Sequence, residues 1–199
     1  LATKGQAGGI TVSTLAEAEY FARAGFTDIL YGVGITPDKL AGVSAVQALG
    51  AEVILILDNP DTARLVVERA GAQGGACRFL IEIDCGQHRT GLLPDDPRVL
   101  ECARIIVEGT NCELRGVMTH AGHSYDCDTT DAARVVAEDE RAAVVAAAET
   151  LRGAGVPCPI VSVGSTPTAL HAEHLDGVTE MRPGVYMFGD LFQHSIGSC

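Results

Sequence analysis

Two histidines, a tyrosine, a cysteine and two aspartates fall within the twelve residues VMTHAGHSYDCD, Val117 to Asp128. Such side chains suit three roles: a His-x-x-His metal pair at His120 and His123, an acid–base site, or a polar loop without chemistry. A second group lies further on. SVGSTPT, Ser162 to Thr168, follows an apolar run with a glycine, hydroxyls and a proline, and RPGVYMFGD, Arg182 to Asp190, comes one unit later. Barrel enzymes bind phosphate in Gly-rich loops after their last strands, where glycine lets backbone N–H groups approach the anion. This reading predicts that the Gly164, Ser165 and Gly184 amides converge on one anion-sized spot; the alternative for SVGST is an ordinary strand-to-turn ending.

The elements that must position these residues alternate along the chain. GGITV, DILYGVGI, AEVILILD, RFLIEIDCG, ELRGVMTHAG, PIVSVGST and VTEMRPGVYMFGD read as strands. Helices are expected over Leu15 to the stop at Gly25, from Pro37, around Asp61–Ala70, around Pro97–Glu108 and over the Ala-rich Asp131–Arg152. Several strands are apolar throughout, as in a parallel sheet covered on both faces. No strand–GxGxxG–helix unit is present, so a dinucleotide fold has no support. Asp84, Cys85, His120, Ser162, Gly164 and Arg182 fall at or just beyond strand ends, which form the active face of a (β/α)8 barrel. Seven strands leave that barrel one unit short. His171 and His174, in TALHAEHLDG, read as a helix surface.

Composition excludes some partners. A net charge of −12 argues against a nucleic-acid or anionic-membrane surface. No apolar run is long enough to span a membrane, and LATKGQAGGITV lacks the layout of a signal peptide. Seven scattered cysteines without a Cys-x-x-Cys pair suit a reduced, cytoplasmic protein in which most thiols pack as small apolar groups.

The blocks IEIDCGQHRTG, VMTHAGHSY, VSVGSTPT and RPGVYMFGD, in that order, resemble the D-serine dehydratase and D-threonine aldolase group. These are fold-type III pyridoxal-phosphate enzymes on the alanine-racemase-type barrel, and the HAGHSY and GSTPT pieces look closer to the dehydratase branch. GITVSTLAEAEYFARAGFTDIL resembles the family's second strand, helix and third strand, so the likeness spans nearly all of residues 1–199 as one partial barrel domain.

The resemblance implies roles. Arg89 matches the arginine near the cofactor's phenolic oxygen, and His120 would lie against the pyridine ring. His123 and Tyr125 would flank the substrate and hold or move a proton. Gly164, Ser165, Thr166, Gly184 and Val185 would supply phosphate donors, with Tyr186 nearby, and Arg182 would face the ring nitrogen. The implied activity is a lyase converting D-serine to pyruvate and ammonia, with D-threonine aldolase or racemase as alternatives on the same barrel. From other classes, a non-catalytic pyridoxal-phosphate carrier stays open, as does a metal-dependent hydrolase using His120, His123 and Asp128.

Departures from the family pattern matter. Lys4 and Lys39 are the two lysines, and neither matches the cofactor-anchoring lysine of the first strand. His194 and Cys199 do not match the metal ligands of the family's C-terminal β domain. The expectation is therefore an incomplete (β/α)8 barrel, without its first strand and second domain and inactive as it stands. The full-length protein is expected to add a divalent metal, Zn or Mn, and to form a homodimer.

Overall fold

A computed structural model describes residues 4–5, 8–73 and 75–196. It forms two compact units, Leu1–Ile81 with Leu100–Arg115, and Glu82–Val99 with Gly116–Cys199. Strand order follows chain order in all seven strands, which identifies an α/β fold with the sequential parallel topology of an incomplete TIM-type barrel. No helix among the described residues is long and apolar enough to cross a membrane.

In the first unit, β1 (Ile10–Val12), β2 (Asp28–Gly34), β3 (Glu52–Leu57) and β4 (Cys77–Ile83) pair in parallel. Ile29, Leu55, Phe79 and Ile81 are fully buried, as the unbroken apolar runs require. Helix α1 (Leu15–Arg23) starts in a capping box: Glu17 N donates to Thr14 Oγ1 at 3.1 Å, and Thr14 N donates to Glu17 Oε2 at 3.0 Å. It ends where Gly25 turns to φ +93° and Phe26 packs edge-on against Phe21. The helix expected from Pro37 begins instead as a tight 3-10 turn, Pro37–Lys39, that runs into α2 (Leu40–Gln47). Helices α3 (Pro60–Gln73) and α4 (Pro97–Glu108) follow β3 and β4. Cys77, Cys85, Cys102 and Cys158 are buried, in keeping with thiols used as small apolar groups.

In the second unit, the end of β5 (Cys112–Thr119), β6 (Ile160–Val163) and β7 (Glu180–Met181) pair in parallel. Their C-terminal ends therefore share one edge. The 24-residue α5 (Thr130–Gly153) is started by Thr129, whose hydroxyl accepts from Ala132 N at 3.1 Å. Its buried stripe is Ala133, Ala137, Glu140, Val144, Ala147, Ala148 and Leu151, so a carboxylate sits in an otherwise apolar face. Helices α6 (Thr166–His171) and α7 (Leu191–Ser195) complete the unit.

Three local expectations change. HAGHSYD is a 3-10 turn over Gly122–Asp126, and β7 is two residues long because Pro183 and Gly184 lead into a 3-10 turn at Val185–Met187. His171 ends α6 with Nε2 buried, whereas His174 lies past the helix beside Glu138 and Asp176, so the two do not form one helix surface.

Gly116 has φ +141°, and a Cβ there would lie 1.9 Å from the Ile160 carbonyl oxygen of the paired strand. Gly116→Ala should therefore destabilise the protein by about 3 kcal/mol or more. Gly153→Ala, at an exposed helical position with nothing within 4 Å, should be neutral or stabilise by up to about 1 kcal/mol. Denaturant midpoints compare the two, and similar midpoints would contradict the close approach of Gly116 to the Ile160 carbonyl.

Candidate active site

The chemistry-bearing residues of the second unit gather at its strand ends. Asp84 and Cys85 follow β4, His120 follows β5, Gly164 follows β6 and Arg182 follows β7. The loop after β4 is organised by Asp84, whose Oδ1 accepts from Gly86 N at 2.9 Å and His88 N at 3.0 Å, and whose Oδ2 lies 2.8 Å from His88 Nδ1. Burial pushes the Asp84 carboxyl up, but these hydrogen bonds outweigh it and hold the group below its ordinary range. They also hold His88 at φ +54°, an uncommon conformation for a residue with a side chain, just before Arg89. Arg89 is exposed, and its charge is felt at His120. Burial pushes the Cys85 thiol up to about 11, so it stays protonated and is no nucleophile.

Two loops interlock through their glycines. A Cβ on Gly122 would meet Gln87 Nε2 at 2.4 Å, and one on Gly86 would meet His123 Nε2 at 3.8 Å. His123 therefore packs over the Gly86 backbone, with its Nδ1 buried and without a hydrogen-bond partner.

His120 Nδ1 is hydrogen-bonded to the Gly164 carbonyl oxygen. A carbonyl only accepts, so Nδ1 carries the proton and the neutral ring presents its lone pair at Nε2. Burial is the main force holding His120 below its ordinary pKa; Arg182 and Arg89 add to it, while Gly164 and Glu140 oppose it. Arg182 is mostly buried. Its Nε donates to Ser162 Oγ at 2.8 Å and its Nη2 to the Thr119 carbonyl, while Ser162 donates to Glu180 Oε1 at 2.5 Å. Burial lowers the Arg182 pKa against the pull of Glu180, Glu140 and Glu82, yet a guanidinium keeps its proton.

The sequence reading passed over Glu140, which joins these segments. This carboxylate is 1% exposed. Its Oε1 accepts from Ala121 N at 2.9 Å and from Gly164 N at 3.1 Å, and its Oε2 from the Thr168 hydroxyl at 2.7 Å. Thr168 Oγ1 lies 2.8 Å from Ser165 Oγ, which lies 2.8 Å from Ser124 Oγ. The signal was available: positions 133, 137, 140 and 144 fall on one helical face, and a lone acid among alanines and valine there must find partners.

The expected anion donors change accordingly. The Gly164 N–H is taken by Glu140, a correction to its assigned role, and the residue is a glycine because a Cβ would come within 2.8 Å of Arg182 Cβ. The Thr166 N–H donates to Tyr125 Oη at 3.3 Å, so the Tyr125 hydroxyl lies at that loop. Tyr186 N donates to Thr166 Oγ1 at 3.3 Å. The Ser165, Gly184 and Val185 N–H groups have no acceptor among the described residues. His120, His123 and Asp128 do not come together as metal ligands, and among the described residues no three His, Cys, Asp or Glu side chains do. Lys4 lies in an exposed turn ahead of β1, and Lys39 Nζ donates to Tyr31 Oη at 2.8 Å within the first unit. His194 lies in α7, and Cys199 falls outside the described residues.

Sequential parallel strands, with a buried cation and a neutral histidine at one set of strand ends, define a β/α-barrel protein whose strand-end loops carry the site. Residues 1–191 match the family described as alanine racemase, N-terminal domain. The chain belongs to that family, the fold-type III pyridoxal-phosphate group. It is similar to D-threo-3-hydroxyaspartate dehydratase of Delftia sp. (strain HT23), 50% identical over 194 residues, covering 97% of this chain and 51% of that protein. D-serine dehydratase of Dictyostelium discoideum is 31% identical over 202 residues, with 96% and 51% covered. The solved structure of the Delftia dehydratase superposes with a TM-score of 0.95 over 98% of this chain and 52% of that one, at 50% identity. The chain thus spans about half the length of the curated relatives it matches.

The depressed His120 pKa has a measurable consequence. The unfolded chain takes up a proton near the ordinary value of 6.5 that folded His120 resists. Below that pH the unfolded state binds more protons, so stability is lost as pH falls. Between about pH 6.5 and 5 the denaturation midpoint of the wild type should fall more steeply than that of His120→Gln. Parallel pH profiles for the two proteins would show that His120 ionises alike in both states.

Proposed function

We propose that this chain is the cofactor-binding barrel part of a pyridoxal-phosphate-dependent lyase that removes water from 3-hydroxy-D-amino acids. The carrying observation is the buried Arg182, bonded to Ser162 and the Thr119 carbonyl, beside a neutral His120 at the strand ends. The residues present fit the cofactor. The Ser165, Gly184 and Val185 N–H groups lack acceptors among the described residues, and a Cβ on Gly184 would meet nothing within 4 Å. These amides, with Thr166 beside them, would hold the phosphate. Arg182 would face the ring nitrogen as a cation that does not give up its proton. His120 would lie against the ring, and its Nε2 can accept a proton. Arg89 brings a positive charge from the loop after β4. His123 Nδ1, buried without a partner, and the Tyr125 hydroxyl would hold the substrate side.

The chemistry that pyridoxal phosphate supplies is an electron sink for the α-carbon of a bound amino acid. Among the described residues no three His, Cys, Asp or Glu side chains come together to hold a divalent metal. Between substrates, the 50% identity to D-threo-3-hydroxyaspartate dehydratase against 31% to a D-serine dehydratase supports a 3-hydroxyaspartate-type substrate ahead of D-serine.

Two measurements test this reading. The purified protein should bind pyridoxal phosphate, followed by absorbance and fluorescence, at least about tenfold more tightly than pyridoxal, which lacks the charge-assisted phosphate contacts. In the intact protein, D-threo-3-hydroxyaspartate should yield a 2-oxo acid and ammonia faster than D-serine does. Release of glycine and an aldehyde would replace the dehydratase by an aldolase, and equal binding of the two pyridoxals would remove the phosphate site.

A further inference from the structure

The hydrogen bond between His120 Nδ1 and the Gly164 carbonyl has two ends, and one oxygen atom holds both. Glu140 Oε1 accepts from Ala121 N, in the peptide that follows His120, and from Gly164 N, on the residue whose carbonyl faces the imidazole. The Gly164 carbonyl lies in the next peptide, so Glu140 holds it through the Gly164 backbone. If that residue or His120 shifted, the carbonyl would leave the ring and the proton could move to Nε2. Nothing competes for these two N–H groups: each has this single acceptor among the described residues.

We infer that Glu140 is a positioning residue, which fixes the His120 tautomer and so presents Nε2 as the proton acceptor of the site. This role rests on the function proposed above insofar as His120 faces the cofactor. Glu140 touches neither cofactor nor substrate in that reading, because its two oxygens are occupied by Ala121, Gly164 and Thr168. Its second effect is electrostatic. The charged groups acting on His120 are Arg182 after β7, Arg89 after β4 and Glu140 from α5, and Glu140 alone favours the protonated ring. The carboxylate thus holds the geometry while moderating the push of two arginines, roles that a single substitution can separate.

Glu140→Gln keeps an oxygen for the two amides and places an NH2 toward Thr168, whose hydroxyl can accept as well as donate. Glu140→Leu keeps the bulk but leaves both amides without an acceptor. Nitrogen-15 NMR of the imidazoles in the protein carrying each substitution reads the tautomer directly. The wild type and Glu140→Gln should both show His120 protonated at Nδ1, whereas Glu140→Leu should show mixed tautomers. Loss of the negative charge in Glu140→Gln should lower the His120 titration midpoint by about half a pH unit or more.

A folded Glu140→Leu protein with the wild-type tautomer would overturn the inference. If that variant does not fold, a His120 proton moved to Nε2 in Glu140→Gln, which keeps the acceptor for both amides, would overturn it just as well. The spectra need no cofactor, so they separate this inference from the functional one. A protein that fails to bind pyridoxal phosphate but shows the tautomer change loses the proposed function and keeps the role of Glu140.

Discussion

A carboxylate taken out of water costs several kcal/mol unless its lone pairs are satisfied. Glu140 meets that condition with three donors from three chain segments: the turn after β5, the end of β6 and the first turn of α6. No one segment satisfies it. The second unit therefore gains a strong reason to bring all three together, and the loops that carry the site are arranged around that charge. Arg182 faces a similar demand and meets it with a backbone carbonyl, a serine hydroxyl and the nearby Glu180. The two buried charges are opposite in sign, and each is felt at His120.

The glycines of the motifs serve close packing as much as anion binding. Gly164 lets β6 approach Arg182, Gly122 admits Gln87, and Gly116 lets β5 lie against the Ile160 carbonyl. Motif glycines invite a phosphate reading because both uses need a missing Cβ. Gly184 differs, with open space where a side chain would be, and there the anion role has its better support.

Much of the fold was legible because period and length carry it. The apolar runs of β3 and β4 and the long Ala-rich α5 lie where the sequence puts them, within a residue or two at α5 and a few at the strand ends. The 3-10 turns at Pro37–Lys39 and Gly122–Asp126 were not legible, because such turns have no periodicity to read. Types and spacing put His120, Arg182 and the Ser165–Thr168 turn at strand ends, where they lie. They did not reveal which N–H meets which acceptor, since that depends on packing between segments distant in sequence. Gly164 shows the limit: its amide is claimed by a residue 24 positions earlier, on a helix read simply as amphipathic. Tyr125 shows it again, its hydroxyl settled by an amide 41 residues away.

The row of hydroxyls behind the site has a direction. Each hydroxyl owns one proton. With Glu140 ionised, the Thr168 proton is committed to the carboxylate, so Ser165 must donate to Thr168, and Ser124 to Ser165. All three arrows point the same way, into the acid. Sending a proton outward along the row would require Glu140 to be protonated first and every hydroxyl to turn over in step. The row therefore has a polarity: it is set to pass a proton toward Glu140 and not away from it.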